Sequence, residues 1–188
     1  QWFEPPRCTW QGKMLFDGQA VRIEGDIRFQ GAFRTLQNQF WWIDGASEAL
    51  LLEFATPIDL MRPQVATAEP AHITLSRNVN ILAASRDHLG NKRCREQMQL
   101  PALTFDIQSN EISGLGPGSI RSWHLSTSGM GNRLAGPETT DKQETLQGAH
   151  LQFRESMRGF MDRSEIYFQG HVELAADGRI VEARPAQA

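Results

Sequence analysis

Residues that could do chemistry are few and scattered along this chain. The richest candidate is GLGPGSI, residues 114–120, because a glycine-rich corner can cradle phosphate. A phosphate loop needs GxxxxGK[ST] between a strand and a helix, with backbone amides around the anion and a lysine reaching it. Here the lysine is missing, and the corner runs into IRSWHL, which alternates as a strand does. A dinucleotide fingerprint also requires a helix N-terminus facing the pyrophosphate, and none follows. The corner reads as a structural bend. STSGMGNRLAG, residues 126–136, carries glycines and a serine but lacks the GxSxG nucleophile elbow.

The histidines, His72, His88, His124, His150 and His171, stand singly. No two of them fall at metal-ligand spacing on a common strand or helix. A hydrolytic site would need two carboxylates converging at roughly 5–9.5 Å. Asp106 and Glu111 are candidates by residue type, but nothing in their spacing pairs them. The expectation is a protein with no catalytic residue, no metal and no cofactor. Cys8 and Cys94 are the two cysteines. In an exported protein they could pair and tie the N-terminal strand to a distant loop; otherwise they are two unrelated thiols.

Net charge and hydropathy narrow the partners. The formal net charge is −3, and the densest basic run is NKRCRE at 91–96. A nucleic-acid partner is not expected, because a phosphate footprint needs clustered Lys and Arg. No apolar run approaches the roughly 18 residues that span a bilayer as a helix, so no transmembrane segment is expected. At 188 residues the chain fits one domain, with length enough to bury a substantial core. It begins at Gln1 and fits a fragment of a longer protein.

The elements that would position any site read as strands. Alternation of period two recurs, punctuated by Gly, Asn or Asp. VRIEGDIRF (21–29) puts Val21, Ile23, Ile27 and Phe29 on one face, with Arg22, Glu24, Asp26 and Arg28 opposite. AHITL and NVNIL align Ile73 with Leu75 and Val79 with Ile81, while LTFDI aligns Leu103, Phe105 and Ile107. ASEALLLEF (46–54) contains good helix formers, yet Leu50, Leu52 and Phe54 alternate and favour a strand. FWWID (40–44) sets Phe40 and Trp42 on one face and Trp41 on the other. A polar stretch at 129–148 reads as a mobile loop. The chain closes with a turn at Asp177-Gly178 and, over 179–188, a short strand running out into a tail.

One pattern repeats. VRIEGDIRF superposes without a gap on IYFQGHVEL (166–174): Val21 on Ile166, Ile23 on Phe168, Gly25 on Gly170, Ile27 on Val172, Phe29 on Leu174. A looser third copy runs from Ile112 and Gly114 through an inserted Gly-Pro-Gly to Ile120. Glycine inside a strand marks a bend, a bulge or a close approach of backbone. Strands bending at a common point imply stacked β-layers.

These residues also carry a family resemblance. FDGQAVRIEGDIRFQG, with SEALLLEF after it, resembles the start of the organic-solvent-tolerance (OstA-like) domain of periplasmic lipopolysaccharide-transport bridge proteins. LTFDIQSNEISGLGPGSI is similar to that family's recurring strand-turn-glycine unit. PIDL, then residues 86–120, then 149–174 follow the segment order of large OstA-like proteins of planctomycete-type bacteria. The resemblance covers most of residues 14–175. GLGPG and the 129–148 stretch depart from it.

The resemblance implies an all-β fold: a layered antiparallel β-jelly-roll, or β-taco, forming one domain over 1–188. It implies a non-enzymatic, periplasmic module that binds or passes an amphipathic glycolipid of the lipid A type. A neighbouring β-jelly-roll module would join by edge-strand pairing. The residues expected to line the interior are Val21, Ile23, Ile27, Phe29, Leu103, Phe105, Ile107, Ile112, Phe168, Val172 and Leu174. The rival expectation is the same fold with a solid, ligand-free core, serving as a structural or protein-docking module of a cell-envelope assembly.

Overall fold

The computed structural model describes residues 2–34, 40–59, 61, 69–86, 92–127, 144–160, 163, 165–176 and 179–183. Among them the chain is all β. In chain order the strands are β1 (Trp2–Phe16), β2 (Ala20–Arg34), β3 (Phe40–Phe54), β4 (Pro70–Arg86), β5 (Lys92–Asp106) and β6 (Glu111–Leu115). They continue as β7 (Gly118–Thr127), β8 (Glu144–Phe153), β9 (Ser156–Phe160), β10 (Glu165–Gln169), β11 (Val172–Ala176) and β12 (Arg179–Ala183). All belong to one 12-stranded antiparallel sheet that is not closed into a barrel.

The sheet forks at β5. Ala102–Asp106 of β5 pairs with β6, whereas Cys94–Gln99 pairs with β7. One branch continues β6-β9-β10 and the other β7-β8-β11-β12, while β4, β3, β2 and β1 follow on the opposite side. The fork has a simple cause. β6 and β7 are one path interrupted at Gly116-Pro117, joined by a cis peptide bond. β8 and β9 are likewise interrupted at Arg154-Glu155, and β10 and β11 at Gly170-His171. The molecule is therefore a meander of long strands, each broken or bent at one level. That level is a crease dividing the sheet into a lower arm, ending in β6, β9 and β10, and an upper arm, ending in β7, β8, β11 and β12.

The unbroken strands cross the same crease by bulging. Between β2 and β3 the register slips after Glu24↔Ala49 and resumes at Ile27↔Ser47. Between β4 and β5 it slips from Ser76↔Ala102 to Val79↔Leu100, so Arg77 and Asn78 oppose Pro101 alone. An extra residue on one strand bends it and adds twist. Arg77 and Asn78 take φ of 62° and 56°, the left-handed conformation in which short polar Asn is tolerated. On β1 and β2 the crease falls at the facing pair Gly12↔Gly25, with φ of 152° and 118°. A Cβ on Gly12 would collide with the Glu24 carbonyl oxygen, and one on Gly25 with that of Gln11. Only glycine lets these two backbones meet.

The bend closes over apolar side chains. Leu75 and Val79 of β4 and Leu100 and Leu103 of β5 form a buried cluster, with Phe29, Leu50, Ile81, Met98, Phe105 and Ile112 packed against it. Each pair straddles the crease, so burial on the inner side draws the two arms together. Fully burying such side chains contributes about 1.5–3 kcal/mol each. Two hairpins at the lower end share one device. Asp17 Oδ1 accepts from the amides of Gln19 and Ala20 (3.0 and 2.8 Å), and Asp106 Oδ1 from those of Gln108 and Ser109 (both 3.0 Å). Such Asx turns fix the chain reversal locally.

Residues 46–54 are strand, as the alternation expects. The stretch expected as a loop over 129–148 is shorter: Glu144–Gly148 already belong to β8, extended by pairing with β7, while 129–143 lie outside the described residues. The short strand expected after the Asp177-Gly178 turn is Arg179–Ala183, which pairs with β11. Residues 177–178 and 184–188 lie outside the described residues.

Candidate functional site: the creased apolar interior

Directly paired strand residues point to the same side of a sheet, so the registers define the inner face. On the lower arm, one row reads Met14, Ile23, Leu50, Leu75, Leu103, Gly114, Met157, Phe168 across eight strands. On the upper arm, the matching row reads Cys8, Phe29, Gly45, Ile81, Met98, Ile120, Leu151, Leu174. Neither row carries a charged residue. At about 4.8 Å per strand, seven intervals make an apolar trough of roughly 34 Å.

Glycines within the rows are wells filled from neighbouring strands. The Phe29 ring lies over Gly45, Leu100 and Met157 over Gly114, and Phe153 over Gly118. The Phe153 and Phe168 rings approach to 5.3 Å across the crease, tilted by 46°. Burial is graded. Ile27, Val79, Leu103 and Met157, beside the crease, are at most 1% exposed. At the sheet ends the inner face is bare, with Trp10 40%, Met14 53% and Ile166 52% exposed.

The expected lining residues fall into three groups. Ile23, Ile27 and Leu103 are buried. Val21, Phe29, Phe105, Ile112, Phe168, Val172 and Leu174 are half-buried on inner positions, with Phe105 directly opposite Ile112. Ile107 stands apart: β5 ends at Asp106, and Ile107 sits in the turn, 41% exposed, its amide donating to the Ala71 carbonyl at 2.9 Å. The sequence reading missed Leu100 and Met157. Their signal is a spacing of three or four across the crease instead of two. Leu100 and Leu103 are three apart because Pro101 faces two residues of β4.

The other candidate groups are two thiols and two carboxylates. Cys8 and Cys94 are free thiols, the second of the two alternatives left open by the sequence. Three strands lie between β1 and β5, or roughly 19 Å of sheet at about 4.8 Å per strand, whereas a disulfide needs Cα atoms within about 7 Å. Burial pushes the Cys94 thiol up, and the nearby Glu96 carboxylate adds to it. Asp106 and Glu111 face each other across their hairpin. Asp106 is held below its ordinary range by the Ser109 backbone amide and hydroxyl. Glu111 takes a two-pronged ion pair from Arg158, 2.5 and 2.7 Å. Each carboxylate thus fastens a turn or a strand pair. Among the described residues no group of three or more His, Cys, Asp or Glu could hold a metal ion, and no helix is long and apolar enough to cross a membrane. The chain matches no protein-family model and no curated sequence.

Proposed function

We propose that this chain is a non-enzymatic, periplasmic module of the OstA-like β-jelly-roll class that binds or passes an amphipathic glycolipid of the lipid A type. The observation that carries the reading is the pair of uncharged inner rows running from β1 to the far strands, on an inner face exposed at Trp10, Met14 and Ile166. An acyl chain lying in such a trough gains about 0.8 kcal/mol per buried CH₂. Movement along it exchanges one apolar contact for a similar one, so no chemical step is needed. The edges of β1, β10 and β12 end the sheet and suit β-augmentation by a neighbouring module, which would lengthen the trough.

A lipid A-type glycolipid with a photoreactive acyl chain tests this. Crosslinks are expected on inner positions such as Met14, Phe168 and Leu174. Crosslinks confined to outward positions, or none, sink it.

One observation favours a second reading. Side chains at the crease are packed to near-zero exposure, as in a filled core. A solid docking module would give no adduct yet still associate through its edges, and native mass spectrometry separates the two by the mass bound.

A further inference from the structure

The outward face of the upper arm carries a pattern unrelated to the interior. Phe40 and Trp42 lie on one face of β3, ring centroids 6.4 Å apart. The Arg34 guanidinium sits 5.0 Å from the Phe40 ring centre, Arg86 5.4 Å from Trp42, and Arg95 5.8 Å from Trp123. These residues are cross-strand neighbours. Arg34 faces Phe40, which faces Arg86; Trp42 faces Ala84, then Arg95, then Trp123. The ladder therefore spans β2 to β7, roughly 19 Å at about 4.8 Å per strand. Exposed Arg121 lies in the adjoining row with half-buried Leu82 and the carboxylate of Asp44. This arginine-rich, aromatic face belongs to a chain whose net charge is −3.

We propose that this face docks on the surface of an anionic lipid bilayer. Tryptophan seats at headgroup depth, where its apolar body and its N–H are both satisfied, and phenylalanine adds apolar surface at the same boundary. Arginine keeps its stem on apolar surface and its charge toward phosphate, and basic side chains are drawn to an anionic leaflet. The same composition on a sheet can also bind single-stranded nucleic acid, but there the ring faces stack on bases. Here a guanidinium already covers a face of Phe40, Trp42 and Trp123, which leaves ring edges and charge as the contact surface. The proposal is independent of whether the interior holds lipid.

Co-sedimentation with phosphatidylcholine vesicles, with and without phosphatidylglycerol, tests it. Binding is expected only to the phosphatidylglycerol vesicles and is weakened by added salt. Arg95→Gln combined with Arg121→Gln lowers vesicle affinity roughly 30-fold at low salt, about fivefold for each charge lost near the leaflet. Both positions are exposed, so an unchanged melting curve verifies folding. Met14→Ser, on the inner face, leaves vesicle binding intact, which separates this outcome from that of the glycolipid experiment. Equal binding to neutral vesicles overturns the proposal, as does full binding by the double variant. Tighter binding of a single-stranded oligonucleotide also overturns it and assigns the face to nucleic acid.

Discussion

The two sides of the crease solve opposite problems. Inside, Leu75, Val79, Leu100 and Leu103 are each under 5% exposed, and burial supplies the force that holds the arms folded. Outside, a shallow cavity of about 900 Å³ brings the polar side chains of Arg77, Asn78, Asn80, Gln99 and Gln152 beside Pro101 and Pro117. There the Asn78 amide donates to the Glu48 carboxylate, Arg77 to Glu24 at 3.1 Å, and Gln97 to Asn80 at 3.1 Å. A bulged backbone leaves ladder groups unpaired, and an outer side open to solvent and carrying hydrogen-bonding side chains can accommodate them. The lesson is a division of labour: the inner side makes the bend favourable, and the outer side makes it tolerable.

Substitutions can break that contrast in graded steps. The largest effect is expected from Gly25→Val, which forces a branched side chain into a φ of 118° and against the Gln11 carbonyl. Strain and collision together should cost about 4 kcal/mol or more, read by chemical denaturation or as failure to fold. Leu103→Ala, at 1% exposure, should cost about 2–5 kcal/mol through lost burial and the cavity left behind. On the outer side, Asn78→Gly should be nearly neutral or stabilise by up to about 1 kcal/mol, because glycine adopts the left-handed conformation freely. If Asn78→Gly proved as damaging as Leu103→Ala, the division of labour would be wrong.

The smallest effect lies away from the crease and depends on acid. The Arg22 side chain, 2.6 Å away, holds Asp17 down to about 2 from its ordinary 3.8, helped by the Ala20 and Gln19 amides. A carboxylate depressed in the folded state stabilises above its unfolded value, and the contribution fades as pH falls through the folded one. Wild type should therefore lose stability between pH about 4 and about 2. Asp17→Asn should flatten melting temperature across that window while leaving the crease unaffected.

Much of the bend was legible because glycine is the cheap route to positive φ. The match of VRIEGDIRF to IYFQGHVEL placed Gly25 and Gly170 at equivalent points. Both have positive φ, 118° and 86°, and both sit at the crease of the same sheet. The Gly-Pro-Gly corner occupies the third such point, between β6 and β7. Elsewhere the crease is written in residues without that signature. Arg77-Asn78 bends β4, Pro101 faces them from β5, and Arg154-Glu155 interrupts β8 and β9. A reading that counts by twos loses phase at those points and so passes over Leu100 and Met157. Ile107 failed for the converse reason: alternation continues past Asp106, but Asp106 caps a turn and ends the strand.

The meander itself has a further consequence. Each long path pairs with the path before and after it in the chain, so among the described residues no strand is threaded between distant partners. Inserting or deleting one hairpin, with its kink at the proper height, changes the length of the structure by about 10 Å and disturbs only the adjoining seams. Span is thus a quantity evolution or design can adjust two strands at a time, like leaves in an extending table.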